Sequence, residues 1–294
     1  MVTSSFEYHA PTSVAEAAEL LTRYGDSAKL LAGGHSLVPM MKSRLAEPEV
    51  LIDLGRIESM AYIREADGGL AIGAMTKYVD IETSDLVKNK APALAQAAGM
   101  IADPLVRNMG TIGGSLAHAD PAADLPAVML ALGARLITSS TGGHRTIEAD
   151  DFFVDLLTTG LRPDEILSEI AIPGLPPRTG TAYAKFGNKA SHFAIVGVAA
   201  SVTLSPDGTC EGARVGLTGA GPKATRATET EGLLNGHRLL QGGQIEEDII
   251  EAAAARASAG VDLQEDIHAS AEYRAHLTTV FARRAIREAV SAAT

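Results

Sequence analysis

Two α+β units joined near residue 176 are the architecture that this 294-residue sequence predicts, on three observations. Helix-like and strand-like patterns alternate from the start of the chain, as in an α/β or α+β core. Three prolines then fall within Pro173-Gly174-Leu175-Pro176-Pro177, where proline removes backbone donors and stiffens a connection. Beyond them comes a long β-branched run at 194–204 followed by helical patterns, the order expected of a small antiparallel sheet with helices on one face.

The elements follow in order. Ser13-Val14-Ala15-Glu16 reads as a capping box, with the serine capping a helix and the glutamate reaching back. Val14, Ala17, Ala18 and Leu21 recur at helical spacing, and Gly25 supplies a left-handed stop. Lys29-Leu30-Leu31-Ala32 is a short strand entering the Gly33-Gly34 loop, and residues 37–45 form a short helix after it. Residues 50–54 and 70–74 read as buried strands, residues 91–100 as a helix, and Ile112-Gly113-Gly114 as a second glycine turn. Residues 125–132 are an apolar helix stopped by Gly133, followed by a strand over 134–138 and a Gly142-Gly143 hairpin turn. In the second unit Asp207-Gly208 turns the long strand into a return strand at 213–217. Helices are expected over 227–234, 245–259 and 273–289.

Composition narrows the function. A net charge of −11 argues against a binder of nucleic-acid backbones, which needs clustered Lys and Arg. One cysteine, Cys210, allows neither an internal disulfide framework nor an iron–sulfur cluster held by this chain alone. The first residues lack the basic and apolar regions of a secretory signal, and no apolar run is long enough to span a membrane, so a soluble protein of a reducing compartment is expected.

Two segments carry chemistry: Ala32-Gly33-Gly34-His35-Ser36 and Thr111-Ile112-Gly113-Gly114-Ser115. Paired glycines let backbone N–H groups approach an anion closely, and the following hydroxyl adds a donor. Two such loops could grip a diphosphate from both sides. Neither is a G-x-G-x-x-G fingerprint or a P-loop. Taken singly, each also reads as a tight connection, the assignment given to Gly68-Gly69, Gly142-Gly143 and Gly242-Gly243.

The succession AGGHSLVPMMK, RNMGTIGGS and DPAADLP resembles the FAD-binding medium subunits of the molybdenum hydroxylase, or xanthine dehydrogenase, family, and within it those of aerobic carbon monoxide dehydrogenases. The resemblance runs over nearly the whole chain. It implies a vanillyl-alcohol-oxidase-like (PCMH-type) FAD-binding domain over 1–176, with α/β subdomains at about 1–55 and 56–176. A smaller C-terminal α+β domain of the carbon monoxide dehydrogenase flavoprotein type would cover 177–294. It further implies that Ala32, Gly33, Gly34, His35, Ser36 and Leu37, with Thr111, Ile112, Gly113, Gly114 and Ser115, hold the FAD diphosphate. Ile101 would pack against the cofactor, Asp124 would accept a hydrogen bond from it, the Leu161 backbone would meet the isoalloxazine, and Lys185 would lie near the flavin ring. On the residues alone, Ile101 reads as core, Asp124 as a helix cap and Lys185 as a charge on a strand edge. One departure is Ser191-His192-Phe193, where some members carry a tyrosine; Phe193 can cover a ring face but cannot hydrogen-bond.

The implied activity is electron transfer, with no catalytic acid–base residue and no metal ligand on this chain. Substrate would be oxidised at a molybdopterin centre on a large subunit, electrons would cross 2Fe–2S clusters on a small subunit, and FAD here would pass them to a quinone or similar acceptor. The complex would oxidise carbon monoxide or hydroxylate a small organic molecule, and would be a dimer of heterotrimers. It would be cytoplasmic, meeting the inner face of the membrane only peripherally. Two other readings stay open: a stand-alone FAD-dependent oxidoreductase, with Ser191, His192 or Tyr183 as proton donor, and a non-catalytic nucleotide-binding module.

Overall fold

A computed structural model describes residues 2–293. The chain opens with β1 (Glu7–His9), α1 (Val14–Tyr24), β2 (Ala28–Leu31), α2 (Leu37–Lys42) and β3 (Val50–Asp53), and the strands form a parallel sheet in the order β1-β3-β2. Ser13 caps α1 by accepting from the Glu16 amide, and Gly25 ends it at φ +52°. The Glu16 carboxylate accepts from the Thr12 amide, one residue earlier than a standard capping box places it.

A second sheet follows. Its strands are β4 (Ile63–Ala66), β5 (Gly69–Gly73), β6 (Arg135–Ser140), β7 (Gly143–Glu148) and, after the small β8 (Phe153–Asp155) and β9 (Thr158–Thr159) pair, β10 (Ile166–Ile172). They run antiparallel in the order β4-β5-β10-β6-β7, so β10 enters late and occupies the centre. Between β5 and β6 come α3 (Tyr78–Thr83), α4 (Asp85–Lys90), α5 (Pro92–Gly99), α6 (Pro104–Arg107), α7 (Ile112–His118) and α8 (Asp124–Leu132), with α9 (Ala149–Phe152) after β7. The second glycine motif is therefore the first turn of α7, capped by Thr111, where the sequence suggested a turn; Thr111 Oγ1 accepts from the Gly114 amide.

The C-terminal sheet has the order β11 (Thr179–Gly187), β12 (Ala194–Leu204), β13 (Cys210–Thr218) and β14 (Thr225–Arg226). After it come α10 (Thr228–Leu234), the β15 (Leu240–Gln241) and β16 (Gln244–Ile245) hairpin, α11 (Glu247–Ala254) and α12 (Ala271–Ala292). One face of this sheet carries α12, as expected. The other is covered by α5 and α8 of the preceding unit, which accounts for the nearly unbroken burial of β12. Two glycines permit this double packing: a Cβ on Gly180 would lie 1.9 Å from the Ala289 carbonyl of α12, and one on Gly216 would lie 2.1 Å from the Ala127 carbonyl of α8. All nine residues of α8 are buried, Asp124 included, because the helix is enclosed between the third sheet and helices α5, α7 and α9. The lead into α8 is tied to the third sheet by the Thr218 hydroxyl, which donates to the Pro121 and Ala123 carbonyls, and by the Ala194 and Gly219 amides, which donate to Ala122 and Pro121. Among the described residues no helix is long and apolar enough to cross a membrane.

Candidate functional site

The loop after β2 and the loop into α7 meet. A Cβ on Gly33 would stand 2.3 Å from the Met109 carbonyl oxygen and 2.7 Å from Gly110 Cα, so only glycine lets the two backbones lie this close. Together they edge a cleft of about 800 Å³, closed by the N-terminus of α8, by residues 157–163 and by Ser191, His192 and Phe193 of the third sheet's first connection. Every residue that the resemblance assigns to the cofactor lines this cleft except Ile112 and Lys185, and of the three candidate proton donors Ser191 and His192 line it while Tyr183 does not.

The two glycine segments contribute differently. Among the described residues, no hydrogen bond within the chain engages the backbone N–H of Gly33, Gly34, His35 or Ser36. Gly34 sits at φ +75°, a left-handed turn, and the Ser36 hydroxyl makes no capping bond to α2. Successive free amides around a left-handed glycine form an anion-binding concavity. In the second segment the amides already have partners: Ile112 donates to Thr76, Gly113 to Ala74, Gly114 to Thr111 and Ser115 to Thr111. A Cβ on Gly113 would lie 2.4 Å from that of Ala74, so this glycine serves the packing of α7 on the loop after β5. Ile112 is fully buried in the core, away from the cleft. The second segment thus offers Ser115 and a close-packed wall. Among the described residues Lys29 is the only Lys or Arg that lines the cleft, so an anion here would be met mainly by backbone dipoles.

Asp124 is a lining residue and 4 % exposed. It is the first residue of α8, and Ala123 occupies the cap position, so capping does not explain it. Its carboxylate accepts from the Tyr183 hydroxyl at 2.6 Å and pairs with the Lys185 ammonium at 2.8 Å. Burial pushes the Asp124 carboxyl up, opposed first by Lys185 and then by Tyr183. The Tyr183 phenol is raised well above its usual value by burial and by the same carboxylate. Lys185 also donates to the Met100 carbonyl at 2.9 Å, so its charge is held behind the wall and neutralises Asp124 instead of standing free in the cleft. Ile101 is half-buried against the main core while lining the cleft.

Sequence reading overlooked Tyr78, Arg145 and Glu165. Tyr78 packs against Gly110, where a Cβ would come within 2.4 Å of its ring, and burial pushes its hydroxyl up to about 12, so it stays protonated at neutral pH. Arg145 donates to both oxygens of Glu165, at 2.7 and 2.6 Å, and to the Gly160 carbonyl at 2.8 Å, while the Arg162 amide donates to Glu165. This pair braces the Thr159–Pro163 stretch that carries Leu161 to the cleft. No local motif marks it, since the partners lie 20 residues apart.

The guanidinium of Arg145 holds Glu165 down to about 2, against an ordinary 4.5. A depressed carboxyl stabilises the fold above its unfolded value and loses that stabilisation as pH falls through its folded value. The stability advantage of the native chain over Glu165→Gln is therefore expected to be full above pH 5 and to shrink steadily between pH 4.5 and 2. Urea midpoints of the two chains across that range measure it, and a constant difference would remove Glu165 as the titrating group.

Residues 4–175 match the family described as the FAD binding domain in molybdopterin dehydrogenase, and residues 181–289 match the CO dehydrogenase flavoprotein C-terminal domain. The chain is 42 % identical to the carbon monoxide dehydrogenase medium chain of Hydrogenophaga pseudoflava, over 98 % of both chains. It is 39 % identical to subunit alpha of the 6-hydroxypseudooxynicotine dehydrogenase complex of Paenarthrobacter nicotinovorans, over 97 % of this chain and 95 % of that one. Its fold superposes with a TM-score of 0.93 on a chain of the solved Hydrogenophaga pseudoflava carbon monoxide dehydrogenase that lacks the Mo-pyranopterin moiety of its cofactor, at 42 % identity and 98 % coverage of each.

Proposed function

The chain belongs to the family of FAD-binding medium subunits of molybdenum hydroxylases, and from that membership we propose that it is the FAD-carrying electron-transfer subunit of such a complex. The observation that carries this reading is the cleft beside Gly33–Ser36, with four free amides, a free serine hydroxyl and a neutralised carboxylate within one cavity. A dinucleotide needs such a set: donors for its diphosphate and an acceptor for sugar hydroxyls.

Gly33, Gly34, His35 and Ser36 bind the diphosphate through their amides, and Ala32 and Leu37 frame that turn. The Ser36 and Ser115 hydroxyls add donors, and Thr111, Gly113 and Gly114 keep the facing wall close. Asp124 orients the cofactor as an acceptor, with Lys185 acting through it. Ile101 packs against the ligand, and Leu161 presents its backbone to the ring where Arg145 and Glu165 hold it. When bound, FAD supplies the ability to take up electrons singly or in pairs and release them to another acceptor. Phe193, 48 % exposed at the mouth, covers the opening without offering a hydrogen bond.

The partners of this reading are a large molybdopterin subunit and a small 2Fe–2S subunit, assembled as a doubled heterotrimer, with a quinone as electron acceptor. Relatives of nearly equal identity are named for carbon monoxide and for a nicotine derivative, which supports placing substrate choice on the large subunit. Docking fits the exposed Leu105 and Met109, next to the lining residues Val106 and Gly110.

One purification tests the whole reading. A tagged chain isolated from its native cells is expected to bring down polypeptides containing iron and molybdenum, and to be yellow. Acid precipitation is expected to release the chromophore into the supernatant as FAD, one per chain. A colourless chain, or colour that stays in the pellet, would sink the noncovalent FAD reading. A yellow chain purified alone that turns over a small substrate would favour a stand-alone oxidoreductase.

A further inference from the structure

Residues 181–185 of β11 alternate strictly: Thr181, Tyr183 and Lys185 point to one face of the sheet, Ala182 and Ala184 to the other. The alanines pack in the C-terminal core beneath α12, whereas Tyr183 belongs to the core of the preceding unit. All three polar residues of the inward face bond across the domain boundary. Thr181 accepts from the Ala93 amide at 3.2 Å, Tyr183 donates to Asp124 at 2.6 Å, and Lys185 pairs with Asp124. Strand and helix are locked further by the Tyr183 amide, which donates to the Gln96 side-chain oxygen at 2.9 Å.

The hydroxyl of Tyr183 has a seat made for it. Gly197, opposite Lys185 on β12, leaves the space that the phenol occupies; a Cβ there would stand 2.3 Å from the Tyr183 oxygen. Only the ring of Tyr183 would be needed to fill the core, yet the chain keeps both a buried hydroxyl and a glycine beside it. That hydroxyl meets Asp124, one of two buried carboxylates that line the large cleft, the other being Glu165, which Arg145 holds.

We propose that Tyr183 is a positioning residue for the dinucleotide: its hydroxyl fixes the Asp124 carboxylate on the cleft wall, so that the C-terminal domain sets the affinity of a cleft built largely from the N-terminal one. This rests on the FAD reading given above. Two partners hold Asp124 in complementary ways. Lys185 cancels its charge, which would otherwise repel a diphosphate in the same cavity, and Tyr183 sets its direction. With the phenol oxygen gone, the carboxylate keeps its charge partner but is free to turn toward Lys185 and away from the ligand.

The test is a cycle of FAD titrations on the deflavinated full-length chain: unsubstituted, Tyr183→Phe, Asp124→Asn and the double variant. Removal of a hydrogen bond that orients a ligating group typically weakens binding on the order of tenfold. Tyr183→Phe is expected to raise the FAD Kd by about that factor in the native background and by less than about twofold beside Asp124→Asn. A purely structural tyrosine would weaken binding equally in both backgrounds, and that result, or an unchanged Kd in the single variant, would overturn the proposal. Gly197→Ala gives a second route, displacing the hydroxyl without removing it; FAD affinity unchanged in a folded Gly197→Ala chain would also overturn it. Absence of FAD binding by the unsubstituted chain would instead overturn the reading of the cleft, and the inference with it.

Discussion

Gly33→Ala is expected to weaken FAD binding by about a hundredfold while the chain still folds, because positional errors near one ångström carry penalties of that size. The added carbon would stand 2.3 Å from the Met109 oxygen and 2.7 Å from Gly110 Cα, both backbone atoms that no side-chain rotation can move aside. The two loops would have to separate, and the free amides of Gly34, His35 and Ser36 would move with the first of them. Overpacking of this kind costs about 1–3 kcal/mol, which a chain of this length can absorb. Gly142→Ala is the control: its Cβ would meet nothing closer than the Ser140 hydroxyl at 3.5 Å, so both stability and FAD content are expected to stay level. Gly113→Val is a poorer probe, since its first contact is Ala74 in the interior and any loss of FAD would follow from damage to the core. Titration of FAD against each folded variant measures the effect. Undiminished affinity in a folded Gly33→Ala chain would mean that the paired loops are only a tight connection.

The second large effect is expected at Asp124. Asp124→Ala would leave the Lys185 ammonium, 5 % exposed, without a carboxylate, and would leave the Tyr183 hydroxyl without an acceptor. Breaking a buried pair from one side typically costs about 3–5 kcal/mol, because an uncompensated charge remains inside. Urea unfolding of the deflavinated chain should show it as a fall in midpoint at constant slope. Removing both charges in Asp124→Ala/Lys185→Met is expected to restore most of the stability and none of the FAD affinity, which separates the charge cost from the ligand contact. A double variant less stable than Asp124→Ala would refute charge burial as the cause.

Local signals served well where structure is local. The Ser13 cap, the periodicity of α1 and the Gly25 stop identify that helix without any distant contact, and Gly133 ends α8 at φ +60° as its position implies. The β-branched run of β12 matches its observed bounds, Ala194–Leu204. Two other strands gave no such signal. β10, ILSEIAI, interleaves polar residues without clean alternation and lies buried between β5 and β6. β11 alternates, but between alanine and polar residues, because one face packs on α12 while the other makes hydrogen bonds to α5 and α8. A strand buried on both faces loses the apolar–polar rhythm that marks a half-exposed one.

The sequence by itself determined the two glycine loops, the α+β character of the chain and, through three ordered motifs, the family and the residues gathered around the cleft. Those are properties of short segments, where a missing Cβ or a helix-stop residue acts on its own neighbours. The tertiary structure decided which of those residues face the cleft and which serve the fold. It assigned the free amides to the first loop alone, placed Ile112 in the core, and joined Lys185 and Tyr183 to Asp124 across 61 and 59 residues of chain. A charge or a donor acquires its role from whatever desolvates and faces it, and for these groups that partner arrives only when β11 packs against α8.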